Sequence, residues 1–181
     1  MKIVSSLSFI FLAILSGSQS FAMGHHAPSA PLTTVEKVNL VRYLGKWYEI
    51  ARLEQFFEKG CVGATADYSL ADDGKIKVLN TCHMKSCDGK IKVANGIARV
   101  VDTLNNSKLK VSFFWPFEGD YWIMKLGQDY EYAVVGSPDR KSMWILSRTP
   151  QITDALFAEI KTEFAAKDFD TEALVQTPCN N

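Results

Sequence analysis

The sequence predicts an all-β chain in which eight antiparallel strands close into an up-and-down β-barrel and one C-terminal α-helix packs on the outside. Three observations carry that expectation. From Gly45 onward, short runs alternate polar and apolar side chains with period two and are split by turn signals such as "DDG" at Asp72 to Gly74 and "CDG" at Cys87 to Gly89, the pattern of a sandwich or barrel. The residues assigned to the inner face mix large aromatics with the small Ala64 and Ala66, which underfill a close-packed sandwich and suit a barrel enclosing a single ligand cavity. A late segment repeats Ile152, Leu156, Ile160 and Phe164 at every fourth position, one apolar stripe on a helix.

The chain begins with Lys2, the apolar stretches Ile3-Val4 and Leu7 to Leu15, and a small and polar ending at Ser20-Phe21-Ala22. Residues 1–22 therefore read as a secretory signal peptide; the apolar core is far shorter than the ~20 residues of a membrane-spanning helix. Residues 23–37, containing "MGHHAPSAP", read as a flexible leader in which His25 and His26 are solvated tail residues rather than metal ligands. Residues 38–181 form one barrel domain. Loss of Lys2 leaves 19 basic against 20 acidic residues, a balance that provides no electrostatic footprint for nucleic acid or anionic lipid.

Eight strands are expected near 45–54, 62–71, 75–82, 90–102, 108–115, 120–127, 130–137 and 141–148. Alternation assigns their faces. In "VGATADYSL" the even positions, Tyr68 among them, turn inward; in "KIKV" the outward lysines leave Ile76 and Val78 inside. "KLKVSFFW" sends Leu109, Val111, Phe113 and Trp115 inward. An outward Lys125 implies inward Trp122 and Met124, an outward Glu131 implies inward Tyr130, Tyr132 and Val134, and an outward Lys141 implies inward Trp144, Leu146 and Arg148. Glu49 shares the parity of Trp47 and is the one candidate for an inward carboxylate whose pKa a dry site raises. For the helix, Thr153 fits the N-cap, Asp154 the favourable end of the dipole, and Ile152 with Phe157 a hydrophobic staple. "EALVQTP" beyond it is a candidate short ninth strand.

Four cysteines in an exported chain point to two disulfides. Cys82 and Cys87 flank a polar loop, close enough to staple a strand connection. A zinc site at Cys82 and His83 lacks the second short pair of ligands that structural sites use, so no metal or other cofactor is expected.

"GKWYEIAR" at Gly45 to Arg52 resembles the first signature of the lipocalins, Gly-x-Trp at the start of strand one. "GQDYEYAVV" is similar to the second, with Asp129 and Tyr130 in a turn, and "WILSRTP" looks like the third, supplying Arg148. The likeness runs from about Val38 to Cys179 and is closest to the bacterial lipocalin and apolipoprotein D branch. It implies that Gly45 permits a bend, Trp47 plugs the barrel base and Arg148 covers Trp47, where a guanidinium gains cation–π contact and still donates to carbonyls. It also implies a Cys61–Cys179 disulfide, leaving Cys82–Cys87 as the local staple.

By the same resemblance the barrel binds a small hydrophobic ligand, a fatty acid or lysophospholipid, with Tyr68, Phe113, Trp122, Tyr132 and Trp144 lining the pocket. Phe56 and Phe57 of "LEQFFEKG" fall where a lid lies, and Trp115, Pro116 and Phe117 belong to the same mouth. The alternatives are a lipid-modifying enzyme on the same fold, for which the strands supply no nucleophile or acid–base pair beyond Glu49, and an interaction protein without ligand. The expected state is a monomer or homodimer, exported and soluble, in the periplasm or secreted, with membrane contact left open and no lipid anchor evident. Many bacterial relatives carry a lipidated cysteine after the leader, whereas Met23 stands at this cut site.

Overall fold

The computed structural model describes residues 30–179; the expected signal peptide and the first part of the leader, residues 23–29, lie outside the described residues, as do residues 180 and 181. Nine strands form one antiparallel sheet: β1 (Gly45–Leu53), β2 (Cys61–Leu70), β3 (Ile76–Met84), β4 (Ile91–Val100), β5 (Lys108–Phe114), β6 (Phe117–Leu126), β7 (Tyr132–Gly136), β8 (Met143–Ser147) and β9 (Leu174–Gln176). Each strand from β2 to β8 pairs with the next, and β1 closes the barrel by pairing with β8 on one side and, over Gly45–Tyr48, with β2 on the other. Beyond Tyr48 that second edge of β1 is taken by β9, the short strand expected from "EALVQTP". The tail then bridges the gap: Thr177 N–H donates to the Ile50 carbonyl and Cys179 N–H to that of Val62.

A four-residue helix, α1 (Leu40–Tyr43), precedes β1, its N-cap Asn39 accepting from Arg42 N–H at 3.2 Å. α2 (Asp154–Ala165) starts as the sequence predicts, with the Thr153 hydroxyl accepting from Leu156 N–H at 3.2 Å. Its apolar stripe packs outside the wall with Ala51, Met124, Val134, Met143 and Ile145, and Lys125 pairs with Glu159 and Glu163 beside it. Ile160 and Phe164 are wholly buried there. Inside the barrel a second cluster gathers Tyr43, Trp47, Tyr68, Ile76, Val78, Ala98, Leu109, Ile123, Val135 and Leu146.

Two strands reverse the expected facing. Trp122, Met124, Tyr132 and Val134 belong to the outer cluster under α2, while Tyr121, Ile123, Ala133 and Val135 face in. In β6 the register slips between Ile123 and Lys125: Met124 is the extra residue of a bulge, so the parity read back from the outward Lys125 inverts. In β7 the strand begins only at Tyr132, and Tyr130 has φ +63°, so alternation cannot be carried across the turn from Glu131. Because α2 covers this side, most of its outer positions are apolar too, Lys125 being the exception that pairs with α2.

The disulfides also differ from expectation: Cys61 bonds Cys82, and Cys87 bonds Cys179. Cys82 keeps the inward parity of Ile76 and Val78 in β3, and a bulge between Cys61 and Gly63 turns Cys61 toward it, with 5.7 Å between Cα atoms. Cys87 lies beyond the end of β3, where the tail brings Cys179 within a Cα separation of 5.0 Å. The expected Cys82–Cys87 staple fails because the two residues belong to different surfaces.

Candidate functional site

The barrel has a sealed end and an open one. At the sealed end Gly45 takes φ +90°, a left-handed bend that glycine adopts without strain, and swings α1 under the lumen. Trp47 is completely buried and its indole N–H donates to the Tyr43 carbonyl at 2.8 Å. The Arg148 guanidinium lies 3.8 Å from the Trp47 ring centroid. It donates to the carbonyls of Arg42 (2.7 Å), Leu44 (2.9 Å) and Tyr43 (3.2 Å) through one nitrogen, to Lys46 (2.7 Å) through the second and to Tyr130 (3.3 Å) through Nε. Three of these carbonyls belong to α1 and the residue after it, one to the start of β1 and one to the turn before β7, and a planar five-donor fork suits the task of tying them together. The Tyr130 hydroxyl accepts from Asn39 N–H at 2.8 Å, and Arg42 sits 4.3 Å over its ring. Asp129 stays exposed and meets Arg42 at 3.7 Å, so it adds little.

Above this cap, three tyrosines form the lumen floor. Tyr121 joins its hydroxyl to those of Tyr43 (2.7 Å) and Tyr68 (3.1 Å). Burial pushes the Tyr68 phenol up to about 12 and raises Tyr43 and Tyr121 well above the ordinary value, so all three stay protonated at neutral pH. Strict alternation from the outward Lys125 puts Tyr121 on the outer face, and the β6 bulge between Ile123 and Lys125 reverses it.

Exposure rises toward the mouth along the inward positions. Ile76, Val78, Ala98 and Leu109 are buried near the floor, whereas Asn80, Val111 and Phe113 are half-buried and Ala94 is exposed. Inward side chains that solvent still reaches define a lumen open above a packed floor. Trp144 faces this lumen, packed against the inner cluster.

Next to Trp144 lies a buried charge cluster. A bulge between Glu49 and Ala51 puts Ile50 and Ala51 outside and both Glu49 and Arg52 inside, 5% and 1% exposed. Arg52 donates to the Glu49 carboxylate at 2.7 Å, to the Thr177 hydroxyl at 3.5 Å and to the carbonyls of Glu58 (3.1 Å) and Cys61 (3.2 Å). Thr177 in turn donates to Glu49 at 2.7 Å. Glu58, at the end of a single 3-10 turn (Phe56–Glu58), accepts from the Trp144 indole at 3.1 Å. Burial, then the negative charge of Glu49, pushes the Glu58 carboxyl up to about 7.

The rim is aromatic. Phe56, Phe114, Trp115 and Phe117 are 91%, 81%, 86% and 76% exposed. Trp115, expected to point inward, sits instead in the turn from β5 to β6. Phe56 and Phe57 pack edge to face at 5.2 Å, and both are exposed. Of the seven expected ligand contacts, the structure brings Tyr68, Phe113 and Trp144 to the lumen and Phe56 and Phe57 to its rim, and it turns Trp122 and Tyr132 away. Arg52, Glu58 and Thr177 were not foreseen. Strict alternation puts Arg52 outside, Glu58 reads as a loop residue, and Thr177 carries no signal in a tail.

A lipocalin-like domain family matches residues 38–179. The chain belongs to the lipocalin family. This lipocalin is 35% identical over 175 residues to the outer membrane lipoprotein Blc of Escherichia coli (strain K12), covering 97% of this chain and 94% of that protein. It is 35% identical over 185 residues to apolipoprotein D of Mus musculus, covering 93% of each. The solved structure of insecticyanin from the tobacco hornworm Manduca sexta shares the fold, with TM-score 0.66 at 18% identity over 84% of this chain and 89% of that one. Lipocalins generally bind small hydrophobic ligands, and the two disulfides fit an oxidising compartment, extracellular or periplasmic.

Proposed function

We propose that this lipocalin binds a single-chain lipid, a fatty acid or lysophospholipid, in its lumen and stores or carries it without altering it. The observation that supports this most directly is the gradient of exposure along the inward side chains: a sealed aromatic floor at Tyr43, Tyr68 and Tyr121, and a solvent-reached upper lumen at Val111, Phe113 and Trp144. Such a site is concave, mainly apolar and furnished with few polar groups, as lipid pockets are. The acyl chain lies against Val111 and Phe113, with its polar end toward the mouth. Export through the 1–22 leader belongs to the same reading, and N-terminal sequencing of the mature protein checks it.

Native mass spectrometry with lipid extraction, on protein purified from its own host, tests the proposal. A co-purifying single-chain lipid that is recovered unchanged after incubation supports carriage; turnover of added lipid overturns it in favour of an enzyme. In solution, a long-chain fatty acid is expected to shift tryptophan fluorescence with micromolar affinity, about −8 kcal/mol. Trp144→Ala weakens that binding well beyond the effect of the mouth control Lys141→Ala; equal affinities would sink the lumen assignment.

A further inference from the structure

The charge cluster beneath the mouth holds one donor in reserve. Arg52 is 1% exposed, and four of its contacts are accounted for by Glu49, Thr177 and the carbonyls of Glu58 and Cys61. Its Nε has no hydrogen-bond partner. That atom lies 3.6 Å from Glu58 Oε2, too far for a hydrogen bond, and the same oxygen accepts from Trp144 Nε1 at 3.1 Å. Two donors from the barrel wall therefore converge on a single acidic oxygen. The wall does not supply that oxygen. It comes from the 3-10 turn at the rim, where the neighbouring Phe56 is 91% exposed.

Charge makes the Glu58 hold a weak one. The groups facing Glu58 are Glu49 and Arg52 of β1, with Trp144 of β8; farther off are the neutral Tyr68 of β2 and Lys92 of β4, whose ammonium reaches the Phe57 carbonyl at 3.3 Å. Two carboxylates share one guanidinium, so the second is held against both burial and its neighbour's charge, and its carboxyl rises accordingly. A third anion brought into this cluster is repelled unless one carboxylate becomes neutral.

We propose that Arg52 Nε and Trp144 Nε1 form the head-group site for a single-chain amphiphile with a monoanionic head, and that the Glu58 carboxylate holds this place until the ligand's anion displaces it. Glu58 gives up the two donors by taking up one proton and stays in the cluster as a neutral carboxyl, so the incoming anion leaves the cluster's net charge unchanged. This rests on the lipid-binding reading above and narrows it to monoanionic acids, such as fatty acids, over neutral lipids.

Calorimetry with dodecanesulfonate, which stays ionised throughout, and with uncharged dodecanol separates the two ideas. For the unaltered protein, the sulfonate is expected to bind about ten-fold more tightly at about pH 6 than at about pH 8, with close to one proton taken up at the higher pH. Dodecanol binding does not change with pH, and methanesulfonate, which has the head without the chain, does not bind. Glu58→Gln abolishes both the pH dependence and the proton uptake while raising sulfonate affinity at about pH 8 to that of the unaltered protein at about pH 6. Trp144→Phe weakens sulfonate several-fold and leaves dodecanol little changed. If dodecanol binds but sulfonate affinity is the same at both pH values, or its pH dependence survives Glu58→Gln, the head-group site is overturned and lipid binding stands. If methanesulfonate binds as tightly as dodecanesulfonate, the site takes free anions and the amphiphile is overturned. If neither long-chain probe binds, lipid carriage falls with it.

Discussion

Two arginines, one at each end of the barrel, show how differently the same side chain is used. Arg148 is half-buried and surrounded by neutral carbonyls, which it ties together over the Trp47 ring. Arg52 is buried with two carboxylates, Glu49 and Glu58. A guanidinium with carbonyl partners has no titratable counterpart, so the sealed end keeps its geometry at any physiological pH. A guanidinium shared by two acids leaves one of them near its titration point. The ends also differ in what ties them. The sealed end rests on packing and hydrogen bonds, whereas both disulfides lie toward the mouth, where the β1 and β2 edges part and the tail fills between them.

The largest expected effect tests that covalent difference. Breaking Cys87–Cys179, which spans 92 residues, removes roughly 4–5 kcal/mol on the chain-entropy model, against about 3 kcal/mol for Cys61–Cys82, which spans 21. Cys87→Ser and Cys179→Ser should therefore destabilise equally, and either more than Cys61→Ser, in denaturant melts. Non-reducing peptide mapping that linked Cys61 to Cys179 would break the assignment outright.

Next, Trp47→Ala should cost about 4 kcal/mol by deleting a fully buried large aromatic, while lipid affinity of the folded fraction changes less. An unchanged denaturant midpoint would mean that Trp47 does not seal the base. Arg148→Ala should cost about 2 kcal/mol, because its bonds are charge-assisted but water reaches part of the site. It should not alter the pH dependence of stability.

A pH-dependent effect sharpens the contrast at the mouth. Glu58 is raised from an ordinary 4.5 to about 7 in the folded chain. The folded state thus binds the proton more strongly, and the stability this contributes is full below about 4.5 and lost as pH rises through about 7. Thermal melts of the unaltered protein should decline across that window relative to Glu58→Gln. A flat difference would show that Arg52 fully compensates the second carboxylate.

Much of the sealed end was legible in the chain because its residues carry local signals. Gly45 before Trp47 marks a bend and a plug, Thr153 and the fourfold spacing to Phe164 mark α2, and Arg148 follows a strand with clean alternation. The open end was harder to read. Arg52 lies three residues from Glu49, and a strand without a bulge would set them on opposite faces. Met124 inverts β6 in the same way, which exchanges Trp122 for Tyr121 at the floor.

The sequence by itself determined the eight barrel strands, the C-terminal helix, the family signatures and the presence of two disulfides, because period, turn chemistry and composition are local properties. The tertiary structure alone decided which cysteines pair, which face of β6 and β7 lines the lumen, and that Thr177 joins Glu49 and Arg52. Each of these depends on a single extra residue in a strand or on where a distant segment docks. A bulge shifts every later side chain to the other face without changing composition. The final strand pairs with β1 where β2 parts from it and leaves that edge unpaired.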